Sequence, residues 1–166
     1  MEGMASSGTA TLTLPADDQI RITREFDAPK HLVYEAWTTP ELVKRWWNAK
    51  RGEVTVAEID LRVGGKWRYV MVTEDGTEVG FHGEYREIVP NERIVSTEIF
   101  EGAPEGSPEE GTLNTATFAE ADGRTTLTIV VQCPSKEVRD AIIDSGMEAG
   151  LQDALDLLEE VAISLR

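Results

Sequence analysis

The feature that most constrains the fold is a series of alternating apolar and polar segments between residues 53 and 132. Six such segments occur, at 53–61, 66–72, 78–89, 93–100, 112–120 and 124–132. Asp75-Gly76 and Asp122-Gly123, which separate two pairs of them, are residues that tight hairpin turns favour. Parallel pairing needs crossover connections of about a dozen residues or more, and these turns are too short. The pattern therefore predicts an antiparallel meander, with a longer loop at 101–111.

One strand and two short helices are predicted before the meander. Residues 19–26 alternate between apolar and polar side chains, which indicates a half-buried strand. Asp27-Ala28-Pro29 and Thr39-Pro40-Glu41 both match helix starts, because Asp or Thr can cap free amides and Pro is tolerated in the first turn. Residues 1–18 are predicted to form a flexible tail, in which 9–14 can add a short edge strand.

From Ser135 the apolar period becomes helical and stays so to the last residue. Ser135 is a suitable N-cap, and Ser145-Gly146 predicts a kink or break because glycine loses backbone entropy in a helix. The element order predicts an α+β fold in which a curved antiparallel sheet wraps around a long C-terminal helix. We expect residues 19–166 to form this single domain.

The charge balance excludes some partners. The 166 residues include 16 basic and 31 acidic side chains, which gives a net charge of −15 at pH 7. Such a field repels phosphate backbones and anionic lipids, so neither nucleic acid nor a membrane surface is expected as a partner. The single cysteine, Cys133, cannot form an internal disulfide, and no secretion signal or membrane span is recognisable. We expect a cytoplasmic protein that is a monomer or a weak dimer.

Sequence motifs of common enzymes are missing. The chain has no GxSxG, GxxxxGK[ST], HExxH or GxGxxG, so no catalytic residue, metal or cofactor is predicted. His31 and His82 have no ligand-type partner at helical spacing and are expected to be surface or structural residues. Glu58 is in phase with Val54 and Val56. It is therefore either half of a cross-strand ion pair or, if that face points inward, a polar anchor in a pocket.

Aromatic side chains fall on predicted helices and strands and indicate either a filled core or a cavity. A curved sheet around one helix encloses more volume than its side chains readily fill. The small residues Gly146, Gly150 and Ala154 recur at helical spacing and can leave space opposite the sheet. The candidate cavity residues are Trp37, Trp46, Glu58, Trp67, Tyr69, Met71, Phe81, Tyr85, Phe100, Met147, Gly150, Leu151 and Ala154.

Several segments together resemble domains related to the activator of heat shock protein 90 ATPase. They are Ile22–Pro29, Val33–Thr38, Trp46-Trp47, Glu58–Trp67, Gly83–Pro90 and Ser145–Gly150, in this order. The similarity covers about residues 20–161. That family belongs to a larger group with the START domains, the birch-pollen allergen and the polyketide cyclases. The resemblance implies the helix-grip fold, with a cavity between the sheet and the last helix.

Three functions remain open at this point. The first is a binding protein whose cavity takes a small apolar or amphipathic ligand, as the resemblance implies. Small bacterial proteins of the family are described as ligand-binding or stress-related. The second is a cyclase-like or hydratase-like enzyme that uses Glu58, Tyr69, His82 or Tyr85 as acid and base. The third is a domain that binds a chaperone, although no residue here supports the co-chaperone's stimulating role.

Overall fold

The computed structural model describes residues 10–101 and 111–166. The strands are β1 (Thr11–Thr13), β2 (Gln19–Phe26), β3 (Gly52–Ile59), β4 (Lys66–Thr73), β5 (Glu78–Val89), β6 (Arg93–Phe100), β7 (Thr112–Ala121) and β8 (Arg124–Gln132). The helices are α1 (Lys30–Thr38), α2 (Pro40–Trp46), α3 (Lys136–Asp144) and α4 (Met147–Ser164). Most of the loop predicted at 101–111 lies outside the described residues.

The strands form one curved sheet in the order β1-β2-β8-β7-β6-β5-β4-β3. Every neighbouring pair is antiparallel, which confirms the meander and the α+β fold predicted from the short turns. The predicted edge strand at the N-terminus is present as β1, which pairs with β2. The long C-terminal helix packs against α1 and α2, and together they cover one face of the sheet.

This covered side is called the inner face below, and it contains the core. On β2, β8 and β7 the inner face carries apolar side chains that are nearly inaccessible, among them Ile22, Leu127 and Phe118. Leu155 and Leu158 of α4 are fully buried against the same cluster. Because each strand alternates, the side chains two residues apart along β4, β5 and β6 continue this face toward the other edge of the sheet.

Helix boundaries agree with the predicted break but correct one detail. Ser135 caps α3 by accepting a hydrogen bond from the amide of Val138, as predicted. The chain then leaves the helical conformation, and Gly146 adopts a left-handed φ of 84° as the N-cap of α4. Gly146 therefore does not belong to the same helix as Gly150 and Ala154, so the predicted row of three small residues contains only two.

The structure also corrects the predicted orientation of Glu58. Strand β3 pairs Val54 with Met71 and then Val56 with Val70, so Thr55 is an extra residue in a β-bulge. The bulge reverses the alternation, and Glu58 lies exposed, opposite the exposed Arg68. The hypothesis of a buried carboxylate at Glu58 is wrong because an alternation pattern carries no sign of a bulge.

Within the described residues, no helix is long and apolar enough to span a membrane.

Candidate functional site

An aromatic cluster lines the inner face where β4, β5 and β6 meet α2. Trp47, directly after α2, meets Tyr69 and Phe81 edge to face, with ring centroids 5.5 and 5.8 Å away. Phe81 continues to Phe100 at 5.1 Å, and Trp67 lies 4.8 Å from Tyr69. Phe100 is 44% exposed, whereas Trp67 and Tyr69 are buried. The cluster therefore extends from the interior to the solvent.

The indole of Trp67 is held flat across the sheet by a glycine. Its Nε1–H donates to the carbonyl oxygen of Thr97, 3.1 Å away on β6. Gly83 of β5 lies between them, and a Cβ built there would overlap that carbonyl oxygen and lie 2.6 Å from the indole nitrogen. A glycine inside a strand often marks such a close approach. The absence of a side chain at Gly83 thus leaves room for the indole of Trp67.

A polar network lies beside the aromatic cluster and includes a residue that sequence reasoning missed. Glu98 of β6 is opposite Thr112, and Ser96 is opposite Asn114, in register with the core residues Ile94 and Ala116. Glu98 and Asn114 therefore lie on the inner face. The amide Nδ2 of Asn114 donates to Oε1 of Glu98 at 3.2 Å.

The hydroxyl of Thr112 fixes the orientation of this amide. It donates to Oδ1 of Asn114 at 2.9 Å, so the amide nitrogen is directed at the carboxylate. Burial raises the pKa of Glu98, while the hydrogen bond from Asn114 acts in the opposite direction. Glu98 as a residue is half-buried.

The phenol of Tyr69 stands close to this carboxylate, and the phenol of Tyr85 stands close to that of Tyr69. Burial raises the pKa of Tyr69 well above its ordinary value, with further contributions from Tyr85 and from Glu98. Burial likewise raises the pKa of Tyr85, and Tyr34 of α1 contributes to that shift. The phenols of Tyr69 and Tyr85 are therefore neutral at physiological pH and able to donate or accept hydrogen bonds.

Several predicted cavity residues instead pack the core beneath the helices. Trp37 and Trp46 stack with centroids 5.2 Å apart, and Trp37 meets Phe118 edge to face at 6.0 Å. The indole of Trp46 donates to the carbonyl oxygen of Ala36, which connects α2 to α1. The contacts of these two tryptophans join helices and sheet. Met71 is also buried, on β4 opposite Val54 of the neighbouring strand.

The predicted residues on α4 border the core from the opposite side. Met147 and Leu151 are half-buried and pack against the core, and Ala154 is buried. Gly150 is one turn from Ala154 and faces open space, since a Cβ built on it meets no atom within 4 Å. Helical spacing places Gly150 on the same face as Ala154.

The acid–base set considered for an enzyme is divided between the two faces. Tyr69 and Tyr85 are on the inner face, whereas Glu58 and His82 are on the outer face. There, Arg68 forms two hydrogen bonds to Glu101, at 2.9 and 3.0 Å, and Nδ1 of His82 is 2.9 Å from the same carboxylate. His82 therefore belongs to an exposed ion cluster on the outer face of β4 and β5.

Two further observations concern other kinds of site. The described residues contain no group of three or more His, Cys, Asp or Glu side chains placed to hold a metal ion. A depression of about 200 Å³ lies at the ends of β6, β7 and β8. It is lined by Thr97, Gly111, Thr112, Leu113, Gln132, Cys133 and Pro134.

Comparison with known proteins places this fold in a family. The profile of the family described as activator of Hsp90 ATPase homolog 1-like protein matches residues 27–162. The chain belongs to this family, which confirms the resemblance carried by the sequence segments. A comparison with curated proteins finds no match.

Solved structures of bacterial proteins share the whole fold. A protein from Rhodobacter sphaeroides has a TM-score of 0.84 at 23% identity, over 95% of this chain and 99% of that one. A protein from Chromobacterium violaceum has a TM-score of 0.76 at 30% identity, over 89% and 98% of the two chains. An AHSA1-like protein from Aeromonas hydrophila has a TM-score of 0.64 at 20% identity, over 87% and 93%.

Proposed function

We propose that the protein binds a small apolar or amphipathic molecule between the inner face of the sheet and α4. The observation that carries this proposal is the row of aromatic side chains that runs from the buried Trp67 and Tyr69 to the exposed Phe100. Rings arranged from the interior to the solvent offer an apolar ligand a continuous surface. Ligand sites are mostly apolar with a few placed polar groups, and Glu98 and Asn114 supply such groups here.

The space at Gly150 provides the test. In Gly150→Leu, the new side chain extends into space that holds no atom within 4 Å of the Cβ. Leucine is also a better helix former than glycine by roughly 0.8–1 kcal/mol. We therefore expect Gly150→Leu to keep or raise the melting temperature while weakening the binding of an apolar probe such as 1-naphthalenemethanol, measured by calorimetry.

Two variants control this experiment. Ala149→Leu adds a leucine at the exposed neighbouring position and should leave probe binding unchanged. Gly150→Ala improves helix propensity with one added carbon and should separate stability from the filling of space. A clear fall in the melting temperature of Gly150→Leu, with probe binding unchanged, would show that this region is a packed core and would contradict the proposal.

A further inference from the structure

Within the described residues, Glu98 has no cationic side chain as an ion-pair partner. Residues 1–9 and 102–110, which lie outside the described part, contain no Lys, Arg or His. A carboxylate held among protein atoms normally has a charged partner, because burying an isolated charge is costly. The charge of Glu98 is therefore not balanced by an ion pair among the described residues.

The hydrogen-bond network keeps Glu98 in the role of an acceptor. Thr112 fixes the Asn114 amide, and that amide occupies one oxygen of the carboxylate, Oε1. An ionised carboxylate only accepts hydrogen bonds, so its second oxygen calls for a donor. The nearby hydroxyl of Tyr69 is neutral and cannot compensate the charge.

The aromatic cluster next to Glu98 favours the same kind of ligand. Faces of Trp, Tyr and Phe rings attract cations, most strongly where water is excluded. Trp67 crosses the sheet to the backbone of Thr97, the residue before Glu98, and Phe100 is two residues after it on the same face. One carboxylate and several aromatic rings thus lie on the same part of the inner face.

We propose that this site selects an aromatic or otherwise apolar molecule that carries an ammonium group, and that Glu98 binds the ammonium nitrogen. The inference deepens the proposed function and rests on it. The apolar part of the ligand packs on Phe81, Phe100 and Trp47, where the cluster reaches solvent. Glu98 is therefore a residue that determines which ligands of similar shape are accepted.

A series of three naphthalene probes tests this selectivity. 1-Naphthylmethylamine is a cation, 1-naphthalenemethanol is neutral and 1-naphthoate is an anion, and all three have similar shapes. We expect the amine to bind wild-type protein at least about tenfold more tightly than the alcohol, a difference of about 1.4 kcal/mol, and the anion to bind more weakly than both. Calorimetric titration measures the three dissociation constants.

Substitution of Glu98 should remove the preference for the amine and leave the binding of the neutral alcohol almost unchanged. In Glu98→Gln the amide oxygen can still accept from Asn114, and we expect the amine to lose about tenfold in affinity while the alcohol changes less than about twofold. Glu58→Gln removes the same charge from the outer face and controls for the net charge of −15. The amine preference of the wild type should also persist between about 0.1 and 1 M salt, since buried pairs are screened less than exposed ones.

The outcomes separate this inference from the proposed function. If the alcohol binds and the amine binds no better, the role of Glu98 is wrong while ligand binding stands. If Glu58→Gln lowers amine affinity as much as Glu98→Gln does, the preference comes from the overall field, and the inference is likewise wrong. If none of the probes binds, the proposed function itself loses its support. The salt dependence of the amine preference is measured on the wild type and needs no variant. If the preference disappears between about 0.1 and 1 M salt, it comes from the overall field and the inference is wrong, even if Glu98→Gln folds poorly.

Discussion

Arg24 connects the sheet to the C-terminal helix, and its replacement by methionine is the strongest test of how the fold is held together. The side chain is 2% exposed and lies on the inner face of β2. Its guanidinium donates to the carbonyl oxygen of Leu155 at 2.8 Å, to Asp156 at 3.0 Å and to Glu159 at 3.1 Å. It also lies 4.7 Å from the ring centroid of Phe26.

The expected cost follows from what methionine leaves behind. Removing one member of a buried ion pair typically costs about 3–5 kcal/mol, because the remaining charge is uncompensated. Here Glu159 is 15% exposed and Asp156 is 38% exposed, so water can solvate part of the remaining charge. The methionine also keeps most of the apolar contact of the arginine stem. We therefore expect Arg24→Met to lower the free energy of unfolding by about 3 kcal/mol, which corresponds to roughly 6–12 °C in melting temperature.

Urea denaturation followed by tryptophan fluorescence measures this change. Arg21→Met is the matched control, since Arg21 is on the same strand but is exposed on the outer face. It should change the free energy of unfolding by less than about 0.5 kcal/mol. The double variant Arg24→Met/Glu159→Gln should be less destabilised than the sum of the single variants, because the two groups interact. Equal stabilities of Arg24→Met and Arg21→Met would refute the assigned role of Arg24.

Two further predictions concern residues of the candidate site. Gly83→Ala should lower the free energy of unfolding by about 3 kcal/mol, because the Cβ of alanine would overlap the Thr97 carbonyl oxygen. It should also alter the fluorescence emission of Trp67. An unchanged stability and an unchanged spectrum would contradict the close approach of Gly83 to Thr97. Glu98→Gln should stabilise the protein at neutral pH. Burial raises the pKa of Glu98 in the folded state, so the wild type loses stability as the pH rises through that pKa and the carboxyl ionises, whereas glutamine does not ionise. Urea unfolding at acidic and neutral pH should show this advantage shrinking toward acid, and an advantage that grows there would contradict the burial of this carboxyl.

Local chemistry explains why most of the fold could be predicted. Turn residues such as Asp75-Gly76 and the cap Ser135 act on their immediate neighbours, so their effect is visible in a short stretch of sequence. The inner faces of β4 and β5 were also predicted correctly, because both strands alternate without interruption where Trp67, Tyr69 and Tyr85 lie.

The errors arise where one residue changes the face of the strand on which the following side chains lie, or where one residue ends a helix. The bulge at Thr55 reverses the faces of β3, so alternation could not decide between the two interpretations of Glu58, of which the pocket anchor is wrong. The left-handed conformation of Gly146 separates α3 from α4, although the apolar helical period continues across it. Both depend on pairing or backbone geometry that the residue types allow but do not require.

Charged residues on apolar faces were the main signal left unused. Arg24 is in phase with Ile22 and Phe26, and Glu98 is in phase with Ile94 and Phe100, so simple alternation places both charges inside. Arg24 meets two carboxylates of α4, and its charge is balanced within the fold. Among the described residues Glu98 meets an amide and no cation, so the same alternation that produces a structural contact on β2 leaves an unbalanced charge on β6. The ligand that we propose would supply the positive charge that the described residues do not.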